Sequence, residues 1–176
     1  MFRQTMRTAV EAAVGPAALA AALLVGVLAP MVSPAQEPVD PRLTMKPALN
    51  LAAARGIAAA AEAEARANGW NVSIAIVDDA GRLLWFQRMD DSSNSSVDIA
   101  IAKAQHAVNY RRDTRFHQDL LEKGNHVVLS LPDSMPLDGG VRLMTGEQVI
   151  GGIGVSGVQA PEDGQIARAG ADWLKE

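Results

Sequence analysis

Apolar and polar residues alternate most clearly over residues 71–91, and this pattern predicts a β-hairpin. In the first half, Val72, Ile74 and Ile76 stand at every second position, the period that directs successive side chains to opposite faces of a sheet. Residues 78–81 supply two aspartates and a glycine, which are typical of a turn. A second apolar run over 83–89 completes the hairpin.

The rest of the apolar pattern predicts both helices and strands. Apolar residues recur at helical spacing in three stretches, which predict helices over about residues 47–67, 97–110 and 161–175. The other predicted elements are a short helical piece ending near residue 123, a strand over 127–131, and a second hairpin from 141–144 and 148–155. The pattern therefore predicts an α/β (α+β) fold with about five strands.

Residues 1–35 follow the layout of a secretory signal peptide. Two arginines precede an apolar stretch over 17–28, and Ser33 and Ala35 occupy the small-residue positions of a cleavage site. We therefore expect cleavage after Ala35 and a periplasmic or secreted mature protein. The alternative is an uncleaved anchor over 12–32, a run close to the roughly 20 apolar residues that span a bilayer. Two prolines in this region favour the signal peptide.

The remainder of the chain divides into a tether and one domain. Residues 36–42 are proline-rich and acidic, as is typical of a short extended linker. Residues 43–176 carry all the predicted helices and strands, and their length suits a single domain with its own core. We expect no membrane contact once the signal peptide has been removed.

Composition and charge exclude several classes of function. The sequence contains no cysteine, which excludes disulfides, thiolate metal sites and covalent c-type haem attachment. The net charge is −4 and no basic cluster is longer than the pair Arg111 and Arg112, so the chain lacks the basic face that nucleic acid requires. Any metal or haem would therefore be held by nitrogen, oxygen or thioether ligands.

The residues with the clearest chemical potential lie on the helix predicted over 97–110. Lys103, His106 and Tyr110 follow one another at spacings of three and four, so they share one helix face. His117 comes shortly afterwards, and the chain contains only three histidines. One face thus offers a cation, an imidazole and a phenol. A solvated helix face without any chemical role is the alternative interpretation.

Two other patterns are better explained by structure than by chemistry. Gly152, Gly154 and Gly157 match G-x-G-x-x-G, but no helix opens within the motif and no later strand supplies the acidic residue of a dinucleotide site. The acidic pairs at 78–79 and 90–91 lie at opposite ends of the predicted hairpin strands. Turn formation explains these carboxylates better than a hard-cation site does.

Four motifs resemble those of the GlcG/HbpS family, a haem-binding type also found at the end of some PduO proteins. They are D-x-x-G at 78–81, K-A at 103–104, L-x-G-G at 137–140 and I-G-x-x-G-V-S-G at 150–157. The resemblance covers about residues 43–174 and implies a profilin-like α/β sandwich, an antiparallel sheet with helices packed on it, that assembles as a homo-oligomer. It also implies binding or degradation of haem, or an accessory role in small-molecule catabolism.

One position departs from the family pattern. The family usually reads K-A-x-T-A, and here His106 replaces the threonine. Because imidazole is a common ligand of haem iron, we interpret the chain as an exported haem-binding protein with His106 as the favoured axial ligand. The remaining predicted site residues are His117 or Tyr110 as the second ligand, and Lys103, Arg111 or Arg112 as partners of the haem propionates.

Two other hypotheses remain open. The first is an enzyme acting on a small organic ligand, with His106 as general base, Tyr110 as acid or oxyanion donor, and backbone N–H groups of residues 151–157 facing a carboxylate. The second is a homo-oligomeric accessory subunit without chemistry. A Soret band on addition of haem separates the haem-binding hypothesis from both.

Overall fold

The computed structural model describes residues 40–175. The predicted signal peptide, residues 1–35, and the first part of the predicted tether lie outside the described residues. The chain divides into two units, Met1–Pro41 and Arg42–Glu176, and the helices and strands of the described residues lie in the second unit. Within the described part of the chain, no helix has both the length and the apolar character needed to cross a membrane.

Four strands form one antiparallel sheet with helices on both faces. The strands are β1 (Ser73–Asp78), β2 (Leu83–Arg88), β3 (Gly140–Thr145) and β4 (Gln148–Ser156), in the spatial order β2-β1-β4-β3. The α-helices are α1 (Leu51–Ala67), α2 (Ser96–Asn109), α3 (Thr114–Glu122) and α4 (Ala160–Asp172). Both predicted hairpins are present, and the predicted α/β fold is confirmed.

The helices α1 and α4 cover one face of the sheet. Asn50 caps α1, because its side-chain oxygen accepts a hydrogen bond of 2.8 Å from the Ala53 N–H. The inward face of α1 is made of small residues and one isoleucine: Ala54, Ile57, Ala58, Ala61 and Ala65. Small side chains allow close helix packing, and a Cβ on Gly170 of α4 would lie 3.0 Å from the Ile57 carbonyl oxygen.

The helix α2 lies unusually close to the opposite face of the sheet. A Cβ on Gly152 would lie 2.6 Å from the Ala104 carbonyl oxygen, and a Cβ on Gly154 would overlap the Ala100 carbonyl oxygen. The glycines of β4 therefore serve backbone approach between strand and helix. This explains the G-x-G-x-x-G pattern without a dinucleotide.

One predicted strand is wrong. Residues 127–131 were expected to be extended, whereas His126–Ser130 forms a 3-10 helix, so the sheet has four strands rather than about five. Val127 is 71% exposed and Leu129 is 60% exposed, so these residues have no sheet surface to pack against. Strand propensity depends on such packing, and without it the segment forms a local turn.

Candidate functional site

Three of the predicted site residues meet in one ring cluster. His106 and Tyr110 lie one turn apart at the end of α2, with ring centroids separated by 4.7 Å. Arg111 then adopts a φ of 49°, which turns the chain into α3. As a result the His117 ring lies 4.8 Å from the His106 ring and 5.2 Å from the Tyr110 ring.

Both ring nitrogens of His106 are engaged in hydrogen bonds. Its Nδ1 accepts a bond of 2.8 Å from the Met135 backbone N–H, and its Nε2 lies 2.7 Å from His117 Nδ1. His106 is fully buried, whereas His117 keeps 7% of its surface exposed. The His117 Nε2 has no hydrogen-bond partner among residues 40–175. The free imidazole nitrogen of the pair is therefore His117 Nε2.

Burial keeps both imidazoles neutral near pH 7. Desolvation, with a smaller contribution from neighbouring His117, lowers the pKa of His106 from its usual 6.5 to about 4. Desolvation also lowers the pKa of His117, with the positive charge of Arg112 as the second cause. The pair thus acts as hydrogen-bond donors and acceptors rather than as charges.

The depressed pKa of His106 predicts a loss of stability in mild acid. Because the folded-state pKa is about 4 and the unfolded value is 6.5, the unfolded chain binds more protons as the pH falls through this interval. The ligand-free protein should therefore lose about 2 kcal/mol of unfolding free energy between about pH 7 and about pH 5. Urea denaturation at a series of pH values measures this. His106→Asn should flatten the curve, and equal slopes in both proteins would contradict the assignment.

A loop over residues 131–139, called here the proline loop, is tied to the helices beneath it. The Tyr110 hydroxyl donates to the Pro132 carbonyl oxygen. The Met135 N–H donates to His106, and the Asp138 N–H donates to Gln118 Oε1 at 2.6 Å. A loop was predictable here, but its contact with His106 was not, because the group that it brings to the site is a backbone N–H that no residue type reveals.

The two predicted arginines lie beside the ring cluster and are exposed. The guanidinium carbon of Arg112 lies 5.4 Å from the centre of the Phe116 ring, a cation–π distance. The Phe116 ring in turn lies 5.2 Å from the His117 ring. Arg112 is therefore placed to meet an anionic group close to His117, whereas Arg111 is exposed at the turn between α2 and α3.

Lys103 lies outside the ring cluster. Its Nζ is 2.8 Å from Asp163 Oδ2 on α4 and donates a second bond of 3.0 Å to the Val155 carbonyl oxygen. Lys103 has no exposed surface. Burial lowers the pKa of Lys103 and raises the pKa of Asp163, while the attraction between the two charges opposes both changes. The ammonium group therefore belongs to the interior, facing α4.

Several exposed apolar side chains lie in and shortly after α3, the helix that carries His117. Of the nine large apolar residues that are exposed in the described part of the chain, four lie between residues 116 and 137. They are Phe116, Val127, Leu129 and Leu137, and we call them the α3 apolar surface. The Phe116 ring lies against His117, and α3 contacts the 3-10 helix that carries Val127 and Leu129, so these exposed apolar side chains are a candidate binding surface.

Two observations bear on where a bare metal ion or a carboxylate could bind in the described part of the chain. Among residues 40–175, no group of three or more His, Asp or Glu side chains could hold a metal ion. The strand β4 is paired on both sides, with β1 and with β3, so the backbone N–H groups of residues 151–154 are engaged in the sheet. Of the donors that the enzyme hypothesis places over residues 151–157, those of residues 151–154 are therefore unavailable to a carboxylate, and the Val155 N–H donates to the Gly139 carbonyl oxygen.

A comparison of the sequence with known proteins finds relatives of this chain. Residues 49–172 match the family model described as haem degrading protein HbpS-like. Protein GlcG of Escherichia coli K12 is 39% identical over 103 residues, which cover 58% of this chain and 77% of GlcG. The resemblance found in the sequence is confirmed.

Solved structures show the same fold. A double mutant of Streptomyces reticuli HbpS is 34% identical, with a TM-score of 0.70 over 80% of this chain and 99% of that chain. A crystal structure of a PduOC:heme complex is 27% identical, with a TM-score of 0.67 over 72% of this chain and 95% of that chain.

Proposed function

The chain belongs to the HbpS-like family of haem-degrading proteins, and from this premise we propose that it binds haem at the α3 apolar surface with His117 as an iron ligand. The family description and the relative solved with heme support the choice of cofactor. The observation that carries the proposal is the free Nε2 of His117 beside exposed apolar side chains. A neutral imidazole nitrogen next to an apolar surface is a suitable ligand for haem iron.

The available groups fit haem better than a bare metal ion. The porphyrin supplies four nitrogens to its iron, so one imidazole is sufficient where a bare ion would need three or more protein ligands. Arg111 and Arg112 are the proposed partners of the propionates. When bound, haem supplies redox-active iron, and this chain supplies the ligand, the apolar surface and the positive charges.

The proposal reverses the predicted order of the ligands. The sequence favoured His106, but complete burial and two occupied nitrogens argue for His106 as a support of His117. Tyr110 supports the proline loop through Pro132. Lys103 is left out of the site, because its ammonium group is already paired with Asp163.

A haemin titration of the purified protein tests the proposal. We expect a saturable Soret band in the wild type. His117→Ala should shift this band and weaken binding at least tenfold, because even the outer-shell partners of metal ligands typically contribute about 10–100-fold in affinity. His126→Ala, which removes the exposed third histidine, is the matched control and should behave as wild type. Identical spectra in all three proteins, or the spectrum of free haemin, would contradict the proposal.

A small organic acid is the second candidate ligand. The same site offers a carboxylate the His117 imidazole together with the two exposed arginines, Arg111 and Arg112. Calorimetric titration with a panel of small carboxylates separates this candidate from haem. Saturable binding of an acid that is lost in Arg112→Ala, in a protein without a haemin-induced Soret band, would favour it.

Export and self-association complete the proposal. We propose that residues 1–35 direct the chain to the periplasm or the medium and that the mature protein forms a homo-oligomer. The exposed α3 apolar surface supports self-association. N-terminal sequencing of the exported protein should begin at Gln36, and light scattering should give a mass above that of one chain. An intact N-terminus at Met1 would contradict cleavage.

A further inference from the structure

We infer that the Met135 N–H fixes the direction of the hydrogen-bond chain through His106 and His117, so that His117 binds iron only when the Met135 contact is broken. The direction of the hydrogen-bond chain follows from the contacts of His106 in the protein without haem. The consequence for iron rests on the proposed function. His106 thereby becomes a positioning residue that couples the ligand site to the proline loop.

The direction follows from counting donors. The Met135 N–H can only donate, so His106 Nδ1, at 2.8 Å, must present a lone pair. A neutral imidazole with a free Nδ1 carries its proton on Nε2, and that N–H donates to His117 Nδ1 at 2.7 Å. The His117 proton must then be on Nε2. Protonating either ring would set two donors against each other, so the contacts require both rings to be neutral.

Iron ligation at His117 Nε2 requires the opposite direction. To hold iron, His117 Nε2 would have to present its lone pair, so the His117 proton would lie on Nδ1, which would become a donor. His106 Nε2 must then accept, and the His106 proton moves to Nδ1, where it faces the Met135 N–H at 2.8 Å. No proton is gained or lost, because each ring only changes tautomer. Two donors would then face each other, so the Met135 contact has to open if the hydrogen bond between the two rings is kept.

The proline loop has features that suit a second arrangement. The Ser134 hydroxyl oxygen, next to Met135, is buried without a hydrogen-bond partner among the described residues. Asp133 adopts a φ of 52°, a left-handed conformation that is uncommon outside glycine. Both features raise the energy of the present loop conformation. The ties at Pro132 and Asp138 hold the ends of the loop, so the centre can open while the ends stay in place.

The first experiment determines the histidine tautomers in the protein without haem. Long-range nitrogen–proton NMR spectra of the imidazole rings separate a proton on Nδ1 from a proton on Nε2. We expect His106 and His117 both to carry their proton on Nε2, with the exposed His126 as an internal reference. A proton on His117 Nδ1 would overturn the inference, whatever haem does.

The second experiment follows single amides when haemin is added. We expect the hydrogen-exchange protection of the Met135 amide to fall about tenfold, the equivalent of one net hydrogen bond. The Asp138 amide, held by Gln118, is the control in the same loop and should keep its protection. Unchanged Met135 protection with haem bound through His117 would overturn the inference.

A variant of His106 separates its contact with Met135 from its contact with His117. In His106→Asn the side-chain oxygen can still accept from Met135, while the shorter side chain no longer places a donor at the position of His106 Nε2. His117 is then free to change tautomer, so haemin should bind without a change in Met135 protection. A fall in protection equal to that of the wild type would overturn the coupling. The predicted tautomers in a protein without a Soret band would reject the proposed function and support the direction of the chain.

Discussion

Replacing Lys103 with methionine is expected to destabilise the protein by about 3–5 kcal/mol, because it leaves a carboxylate without its partner in the interior. Lys103 has no exposed surface, Asp163 is 2% exposed, and 2.8 Å separates their charged atoms. The lost bond to the Val155 carbonyl oxygen adds a second unpaired group. Urea denaturation near pH 7 measures the change in unfolding free energy.

Two further variants test whether the buried ion pair causes this loss of unfolding free energy. Lys103→Met combined with Asp163→Leu removes both charges and should recover part of the loss, because an apolar pair needs no compensation. Recovery should be incomplete, since Asp163 also accepts a bond of 3.1 Å from the Val158 N–H. Arg115→Met removes a cation whose pair with Asp119 is exposed, and should change the free energy by less than about 1 kcal/mol. Equal effects of Lys103→Met and Arg115→Met would contradict a buried pair.

Lys103 shows what the spacing of residues along one helix does not predict. The positions of Lys103, His106 and Tyr110 on one face were predictable from the sequence, and His106 and Tyr110 do meet. Lysine is long enough to pass beside β4 and reach a carboxylate 60 residues further along the chain. Spacing within one helix contains no information about a partner on another helix. The role of Lys103 therefore required the tertiary structure.

The fold was more predictable than the site. Hairpins and helices follow from the period of the apolar residues, a local property that each element carries by itself. The error at His126–Ser130 occurred where an apolar run has no sheet to join. The tie from Met135 to His106 involves a backbone group, and the order of burial between His106 and His117 depends on how α3 folds back. The residue types in the sequence indicate neither the contact of Met135 with His106 nor the relative burial of the two histidines.

Replacing Gly154 with alanine is the second change for which we expect a large effect, a loss of about 3 kcal/mol of unfolding free energy. The new Cβ would overlap the Ala100 carbonyl oxygen and lie 2.5 Å from the Ala104 nitrogen. Both contacts are backbone atoms of α2, which cannot rotate away as a side chain would. The helix must therefore move off the sheet, and overpacking of this kind is costly because interiors are already close-packed.

Gly146→Ala is the matched control for Gly154→Ala. No atom lies within 4 Å of a Cβ at Gly146, so its cost is limited to the left-handed φ of 56°, about 1 kcal/mol. Urea denaturation should therefore rank Gly154→Ala as the more damaging change. Because α2 carries His106 and ends next to Tyr110, Gly154→Ala should also weaken haemin binding, whereas Gly146→Ala should leave the Soret titration unchanged. Equal stability of the two variants would contradict the close contact between the backbone of α2 and Gly154 of β4. Weaker haemin binding in Gly154→Ala but not in Gly146→Ala would show that the geometry of the imidazole pair depends on the spacing between α2 and the sheet.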